Sequence, residues 1–132
     1  MIARILIAED HQASLDLLRY LFQACGYVTM TAENGEAALE LARRERPDLI
    51  ICDLQMPKMN GYGLVEQLKR EAGLEEIPMV AVTAFSMIGD REQVLLAGFD
   101  GYFSKPIDPE HFVEEIEQFL PPALRARGTS ER

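Results

Sequence analysis

Five short apolar runs alternate with five helical patterns along the chain, and this alternation constrains the fold more than any other feature of the sequence. The runs are rich in Val and Ile, which favour β structure, and they lack the polar alternation of strands with one solvent-exposed face. Strands of this kind that alternate with helices are typical of a parallel sheet covered by helices on both sides. The sequence therefore predicts an α/β protein of five strand–helix pairs.

Turn residues and helix caps set the bounds of these predicted elements. Gly26 and Gly98 stop the first and fourth helices, Asn34 caps the second, and Pro109 opens the fifth. We expect strands at about 4–8, 27–32, 49–53, 77–84 and 101–105, and helices at about 12–25, 35–45, 61–71, 86–97 and 109–120. Right-handed crossovers leave few windings, of which the flavodoxin-like order 2-1-3-4-5 is the commonest at this size. The predicted fold is a doubly wound, five-stranded parallel sheet with five helices.

Size and composition restrict the classes of function. A chain of 132 residues is long enough for one domain with a real core. Its net charge of −9 argues against direct binding of nucleic acid, and no apolar stretch reaches the roughly 20 residues that membrane insertion requires. Cys25 and Cys52 lack the spacing of metal ligands and are expected to be reduced core residues. We therefore expect a cytoplasmic protein.

Polar and charged residues follow four of the five predicted strands. Glu9 and Asp10 follow the first strand, Asp53 ends the third, Thr83 lies at the end of the fourth and Lys105 at the end of the fifth. Each of these positions has a commonplace structural explanation, such as capping the next helix. Because parallel strands place their carboxyl ends on one edge of the sheet, however, these side chains should converge on one crevice.

Three carboxylates in one crevice repel each other unless a cation lies between them. Carboxylate oxygens suit a hard divalent ion, and Mg²⁺ prefers few protein ligands. An open Mg²⁺ site beside the Lys105 ammonium and the Thr83 hydroxyl is suited to phosphoryl transfer. In such a site Asp53 can act as the nucleophile and form an acyl phosphate.

Four sequence motifs, in order and with these separations, resemble the receiver domains of bacterial two-component response regulators, the CheY-like family. The motifs are AED at 8–10, DLQMPKMNG at 53–61, VTA at 82–84 and YFSKP at 102–106. The resemblance spans about residues 3–120. It implies a receiver domain over residues 1–120, followed by a polar and flexible tail over 121–132.

The resemblance implies specific roles for the residues of the acidic crevice. Asp53 is expected to be the phosphoacceptor. Mg²⁺, with Mn²⁺ as an alternative ion, is expected to bind Asp10 and Asp53 directly, together with the backbone carbonyl of Gln55. Glu9 is expected to act mainly through a bound water.

Further family positions match residues around the crevice. Thr83 matches the switch residue, Lys105 the phosphate-binding lysine, and Tyr102 the aromatic ring that rotates inward on activation. The Lys105–Pro106 bond is cis in the family, and Pro57 and Gly61 fit the turn before the third helix. Gln55 and Phe85, which lie two residues past Asp53 and Thr83, are expected to tune the lifetime of the phosphorylated form.

The function implied is that of a phosphorelay response regulator that takes a phosphoryl group from a histidine kinase or a phosphotransfer protein. It is expected to switch the binding of a downstream protein through the face made by the fourth helix, fifth strand and fifth helix. No enzymatic activity beyond self-phosphorylation and autodephosphorylation is expected. The protein is expected to be a monomer or a phosphorylation-dependent dimer. Met1 lies immediately before the first strand, which favours a stand-alone protein, with a receiver fragment of a hybrid kinase as the alternative.

Two other classes of protein share either the site residues or the fold predicted for this chain. An aspartate-nucleophile phosphatase of the haloacid dehalogenase type needs a second acid two residues after its nucleophile, where this chain has Gln55. A flavodoxin-type electron carrier needs a phosphate loop rich in Ser and Thr, but Glu9 and Asp10 would repel its cofactor. His11 and His111, at the starts of the first and last helices, are expected on the surface.

Overall fold

A computed structural model describes residues 2–84 and 90–125. Its strands are β1 (Arg4–Ala8), β2 (Val28–Ala32), β3 (Leu49–Asp53), β4 (Met79–Thr83) and β5 (Gly101–Ser104). Its helices are α1 (Gln12–Ala24), α2 (Gly35–Glu45), α3 (Gly61–Lys69), α4 (Asp90–Ala97) and α5 (Phe112–Glu117), followed by a short 3₁₀ helix at Pro122–Leu124. Among these residues, no helix combines the length and hydropathy needed to cross a bilayer.

The five strands form one parallel sheet in the order β2-β1-β3-β4-β5, as predicted. Ala8 of β1 pairs with Cys52 of β3, Asp53 pairs with Val82, and Thr83 pairs with Ser104. This register places the residues that follow β1, β3, β4 and β5 along a single edge of the sheet. The fold prediction is therefore confirmed, including the convergence of the strand ends.

Alternate residues of β1, β3, β4 and β5 enter two separate hydrophobic cores, one on each face of the sheet. Leu6 and Ile50 belong to the core under α2, α3 and α4, which we call the α2–α4 core. Ile5 and Ile51 belong to the core under α1 and α5, which we call the α1–α5 core. Burial on both faces explains why β1, β3 and β4 are almost entirely apolar, whereas the edge strand β2 carries two threonines and is largely only half-buried.

Helix α5 is shorter than the predicted 109–120. Its first turn is replaced by a local turn in which Asp108 accepts hydrogen bonds from the main-chain amides of residues 110, 111 and 112. At the other end, the amides of Phe119 and Leu120 donate to carbonyls three residues earlier. These are hydrogen bonds of the 3₁₀ type, so the α-helix ends before them. The apolar residues of this segment nevertheless face the core, and Phe112, Val113, Ile116 and Leu120 are buried.

Two other boundaries bear on the predictions. The expected start of the fourth helix at about residue 86 lies outside the described residues, and so does Phe85. At the C-terminus, the described structure continues past residue 120, because Leu124 packs against the α1–α5 core and Arg125 Nε donates to the carbonyl of Leu120. Residues 126–132 also lie outside the described residues.

Candidate functional site

Three carboxylates meet at the carboxyl edge of the sheet. Glu9 and Asp10 follow β1, and Asp53 is the last residue of β3. One carboxylate oxygen from each of the three side chains lies within 4.8 Å of the other two. Glu9 and Asp53 are only 1% and 7% exposed, whereas Asp10 is exposed. Sequence reasoning expected this cluster, and the set of hard oxygen donors fits a divalent cation such as Mg²⁺.

The ammonium of Lys105 lies between two of these acids. Its Nζ atom is 2.7 Å from Oε1 of Glu9 and 3.0 Å from Oδ2 of Asp53. Burial disfavours the charged form of Lys105, but its hydrogen bonds to the two carboxylates outweigh burial and raise its pKa. For Glu9, burial is the largest influence and the neighbouring Asp53 adds to it, so its pKa is raised despite the bond to Lys105. The charge of the cluster is therefore only partly compensated.

Main-chain amides orient the two buried carboxylates. The amide of His11 donates to Oε2 of Glu9 at 3.1 Å, and the amide of Gln55 donates to Oδ1 of Asp53 at 2.9 Å. Since Lys105 contacts the other oxygen of each, both carboxylates are held at two points. The Gln55 side chain is exposed.

Thr83 and Tyr102 lie on neighbouring strands beside the acids. Thr83, at the end of β4, is completely buried, and its carbonyl accepts a hydrogen bond from the Lys105 amide at 2.9 Å. Tyr102 of β5 is half-buried against the α2–α4 core, whereas the adjacent Phe103 packs against the α1–α5 core. The strand therefore directs these two neighbouring rings to opposite faces of the sheet.

A tight loop over residues 54–60, between β3 and α3, borders the site. The amide of Met59 donates to the carbonyl of Pro57 at 2.7 Å, across Lys58 with a φ of 66°. Gly61 closes the loop, and a Cβ atom there would lie 2.9 Å from the main-chain oxygen of Asp53, so a side chain is excluded. On the other side of the crevice, the Lys105–Pro106 peptide is cis, as the resemblance implies.

Both histidines are exposed, as predicted. His11 precedes α1, and its Nδ1 atom lies 3.0 Å from the Ser14 hydroxyl. His111 precedes α5 and pairs with Asp108 at 2.7 Å. Cys52 is buried in the core, as expected, but Cys25 is only half-buried.

An apolar cavity beside Lys105 was not anticipated from the sequence. Its volume is about 360 Å³. The residues that line it are Ser14, Leu17, Leu18, Val82, Ala84, Lys105, Pro106 and Ile107. The sequence feature that could have indicated this cavity is Leu17, an apolar residue outside the stripe of Leu15, Leu18 and Phe22 that α1 buries. Leu17 is exposed in the structure.

Comparison with known proteins gives consistent results. Residues 5–117 match the response regulator receiver domain family. The polar-differentiation response regulators DivK of Brucella anthropi and Brucella ovis are 43% and 41% identical to this chain over 116 and 120 residues. These matches cover 88% and 91% of this chain, and 94% and 98% of the two relatives.

Solved structures of receivers superpose closely on the chain. The chemotaxis protein CheY4 of Vibrio cholerae gives a TM-score of 0.85 at 26% identity, covering 91% of this chain and 100% of its own. The receiver domain of the sensor histidine kinase PA1611 of Pseudomonas aeruginosa, solved with a magnesium ion coordinated in the active site cleft, gives 0.82 at 26% identity, covering 90% and 98%. The chain therefore belongs to the family of response regulator receiver domains, the signal-receiving modules of two-component regulatory systems.

Proposed function

We propose that Asp53 accepts a phosphoryl group from a histidine kinase or a phosphotransfer protein, and that its phosphorylation changes the binding of a downstream protein. The observation that carries this proposal is the position of the Asp53 carboxylate. It is buried, lies among two further acids, and has the Lys105 ammonium 3.0 Å away. A carboxylate that is buried beside other acids destabilises the fold. A site that serves to hold a phosphoryl group explains why the carboxylate is nevertheless placed there.

The residues that would hold Mg²⁺ are Asp10, Asp53 and the main-chain carbonyl of Gln55, with Glu9 acting through a water. The spacing of the three carboxylates supports this assignment, as does the magnesium ion in the related histidine kinase receiver. Bound Mg²⁺ would neutralise negative charge on the phosphoryl oxygens. Mn²⁺ has the same preference for oxygen ligands and would substitute for it.

In the proposed transfer, a carboxylate oxygen of Asp53 attacks the phosphorus atom of a phosphohistidine. The new P–O bond gives an acyl phosphate, while the P–N bond breaks and its electron pair returns to the donor imidazole. Lys105 neutralises charge on the phosphoryl oxygens, and the Thr83 hydroxyl donates a hydrogen bond to one of them. Hydrolysis of the acyl phosphate by water returns Asp53 to its starting state. The protein thus acts on itself and not on other substrates.

The phosphodonor must cover the crevice, because its imidazole has to reach bonding distance of Asp53. The apolar cavity lined by Leu17, Pro106 and Ile107 lies beside Lys105 and offers an apolar contact at this entrance. We therefore assign this surface to the donor.

We further propose that Gln55, which is exposed, and Phe85, which lies outside the described residues, set the lifetime of the acyl phosphate by restricting the approach of water.

The proposed output is the face formed by α4, β5 and α5. Phosphorylation adds roughly −1.5 to −2 charges at Asp53, which attracts the Thr83 hydroxyl. Movement of Thr83 would leave space that the half-buried Tyr102 ring can enter from the α4 side of the sheet. A downstream protein, or a second phosphorylated copy, would then bind the altered face.

The named relatives favour a DivK-like response regulator over a receiver within a hybrid kinase. The matches cover 94% and 98% of the lengths of the two DivK proteins. We place the reaction in the cytoplasm, where the Cys25 and Cys52 thiols would stay reduced.

The test is phosphorylation of the purified protein by acetyl phosphate and by a phosphorylated histidine kinase, with and without Mg²⁺. Mass spectrometry should find one phosphoryl group, on Asp53, only when Mg²⁺ is present. Asp53→Asn should accept none, while Asp16→Asn, which alters an exposed acid on α1, should match the parent. Phosphorylation of Asp53→Asn at another residue, or transfer without a divalent ion, would contradict the proposal.

A further inference from the structure

We infer that Gly35, the first residue of α2, is a positioning residue for the acidic site. Its missing side chain lets the main chain of Met59 lie directly against α2, and this contact fixes the loop over residues 54–60 that carries Gln55. The inference rests on the proposed function, since it assigns to Gly35 an effect on the proposed Mg²⁺ site and on phosphorylation of Asp53.

The contact between Gly35 and Met59 is too close for any other residue. A Cβ atom on Gly35 would lie 1.9 Å from the carbonyl oxygen of Met59, and 2.6 Å from both its carbonyl carbon and its Cβ atom. Backbone strain does not explain the glycine, because its φ lies outside the left-handed region. In a helix, alanine would be favoured over glycine by about 0.5–1 kcal/mol. The contact with Met59 is therefore the physical reason for glycine at this position.

The loop that Gly35 contacts is short and is tied to Asp53 at both ends. At its start, the Gln55 amide donates to Oδ1 of Asp53 at 2.9 Å. At its end, Gly61 packs on the main-chain oxygen of Asp53, and its amide donates to the carbonyl of Leu54 at 3.2 Å. Met59 lies between them, two residues before Gly61, where α2 supports it. A shift of Met59 must therefore be accommodated by the segment between Gln55 and Gly61.

The required shift is large compared with the tolerance of such a site. To move from 1.9 Å to an ordinary contact of 3.4 Å, the Met59 carbonyl must retreat by about 1.5 Å. A misplacement of about 1 Å can cost about 100-fold in rate, and loss of support for metal ligands typically costs about 10–100-fold in affinity. We expect Gly35→Ala to lower Mg²⁺ affinity by about 10–100-fold and to slow phosphorylation by acetyl phosphate by a similar factor.

The experiment measures Mg²⁺ affinity by NMR titration of the parent, Gly35→Ala and Ala42→Gly, with the unfolding midpoint of each. Ala42 is buried in the same helix two turns further on, so its variant weakens α2 without touching the loop's contact with Gly35. Gly35→Ala should lose more Mg²⁺ affinity than Ala42→Gly, even where the two are equally stable. Equal losses, or parent-like affinity in Gly35→Ala, would overturn the inference. If the parent itself binds no Mg²⁺, the proposed function fails instead.

A second measurement uses the parent alone and does not depend on a variant that folds. If Gly35 and the loop are mechanically coupled, binding of Mg²⁺ beside the loop must also change the surroundings of Gly35. Mg²⁺ should therefore shift the amide resonance of Gly35 together with those of Gln55 and Met59. Gly101, at the opposite end of the sheet in β5, serves as the reference and should not shift. Shifts at Gln55 with none at Gly35 would also overturn the inference.

Discussion

The Nζ atom of Lys105 lies 2.7 Å from Oε1 of Glu9, closer than its 3.0 Å distance to Oδ2 of Asp53. One ammonium therefore serves two buried carboxylates. The same ammonium would repel a divalent cation held by these acids. We therefore expect Lys105 to stabilise the protein when no ion is bound and to oppose binding of the ion that the proposed chemistry requires.

Replacement of this lysine should separate its two effects. Lys105→Met should lower the free energy of unfolding of the metal-free protein by about 1–3 kcal/mol, because two buried carboxylates lose a charged partner. Its affinity for Mg²⁺ should rise, since the competing positive charge is gone. Urea unfolding with and without Mg²⁺ measures both effects, with Lys69→Met as the control. A variant with weaker Mg²⁺ binding than the parent would contradict this prediction.

The two acids after β1 should differ in their importance for the metal. Asp10→Asn should reduce Mg²⁺ affinity more than Glu9→Gln, because Asp10 is proposed as a direct ligand. Glu9→Gln should cost about tenfold, the lower end of the range for groups outside the coordination sphere. Isothermal titration calorimetry of the two variants and the parent provides the measurement. The opposite ranking would show that Glu9 binds the ion directly.

Thr83→Ala should separate phosphorylation from output. Asp53 should still accept a phosphoryl group, whereas phosphorylation-dependent binding of a downstream protein should largely disappear, because no hydroxyl remains to follow the new charge. Radiolabelled phosphate incorporation measures the first effect and a pull-down with the phosphorylated protein measures the second. If the variant binds its partner like the parent, the output does not pass through Thr83.

The exposed pair His111–Asp108 before α5 should give a small pH dependence of stability. The hydrogen bond to Asp108 raises the pKa of His111 above its ordinary 6.5, and the same bond lowers the pKa of Asp108 below 3.8. The histidine contribution is therefore complete below pH 6.5 and is lost as the pH rises through the folded-state pKa. The aspartate contribution is present above pH 3.8 and is lost as the pH falls.

Urea midpoints at about pH 6 and pH 8.5 test this pair. The parent should lose stability over this interval, and His111→Gln should lose less. His11→Gln serves as the control, because His11 has a neutral partner in Ser14. Identical pH dependence in the parent and His111→Gln would exclude a contribution from this pair.

A buried hydrogen bond far from the acids should matter for stability alone. The Tyr27 hydroxyl donates to Oε2 of Glu117 at 2.5 Å; Tyr27 belongs to the α1–α5 core, and Glu117 is buried as well. Tyr27→Phe removes this donor from a buried carboxylate and should cost about 1–3 kcal/mol of unfolding free energy. Tyr20→Phe, on the exposed surface of α1, should cost nothing measurable. Phosphorylation by acetyl phosphate should be unchanged in both variants at a temperature where both are folded.

The convergence of Glu9, Asp53 and Lys105 was predictable because it follows from parallel strands alone. Once the strands are parallel, their carboxyl ends share an edge, whatever the details of packing. The unequal distances from Lys105 to the two acids were not predictable, because they depend on side-chain geometry within the crevice. Their roles in metal and phosphoryl binding came from the resemblance and stay predictions.

Two features of the structure could not be found from the sequence patterns. The start of α5 is decided by Asp108, which satisfies three amides locally and displaces the helical turn expected after Pro109. Likewise, the sequence places Gly35 in an ordinary first turn of a helix. Only the approach of Met59, 24 residues later in the chain, explains the glycine.

Tyr102 and Phe103 are adjacent in β5, yet each ring belongs to a different core. The sheet thereby acts as a partition between two packed layers. The cavity assigned to the phosphodonor borders the layer that contains Leu18 and Val82, whereas the proposed movement of the Tyr102 ring would take place in the other. Under the proposed function, a donor would occupy one side while Tyr102 repacks on the other, so phosphorylation and the movement of Tyr102 would not require the same side chains to move.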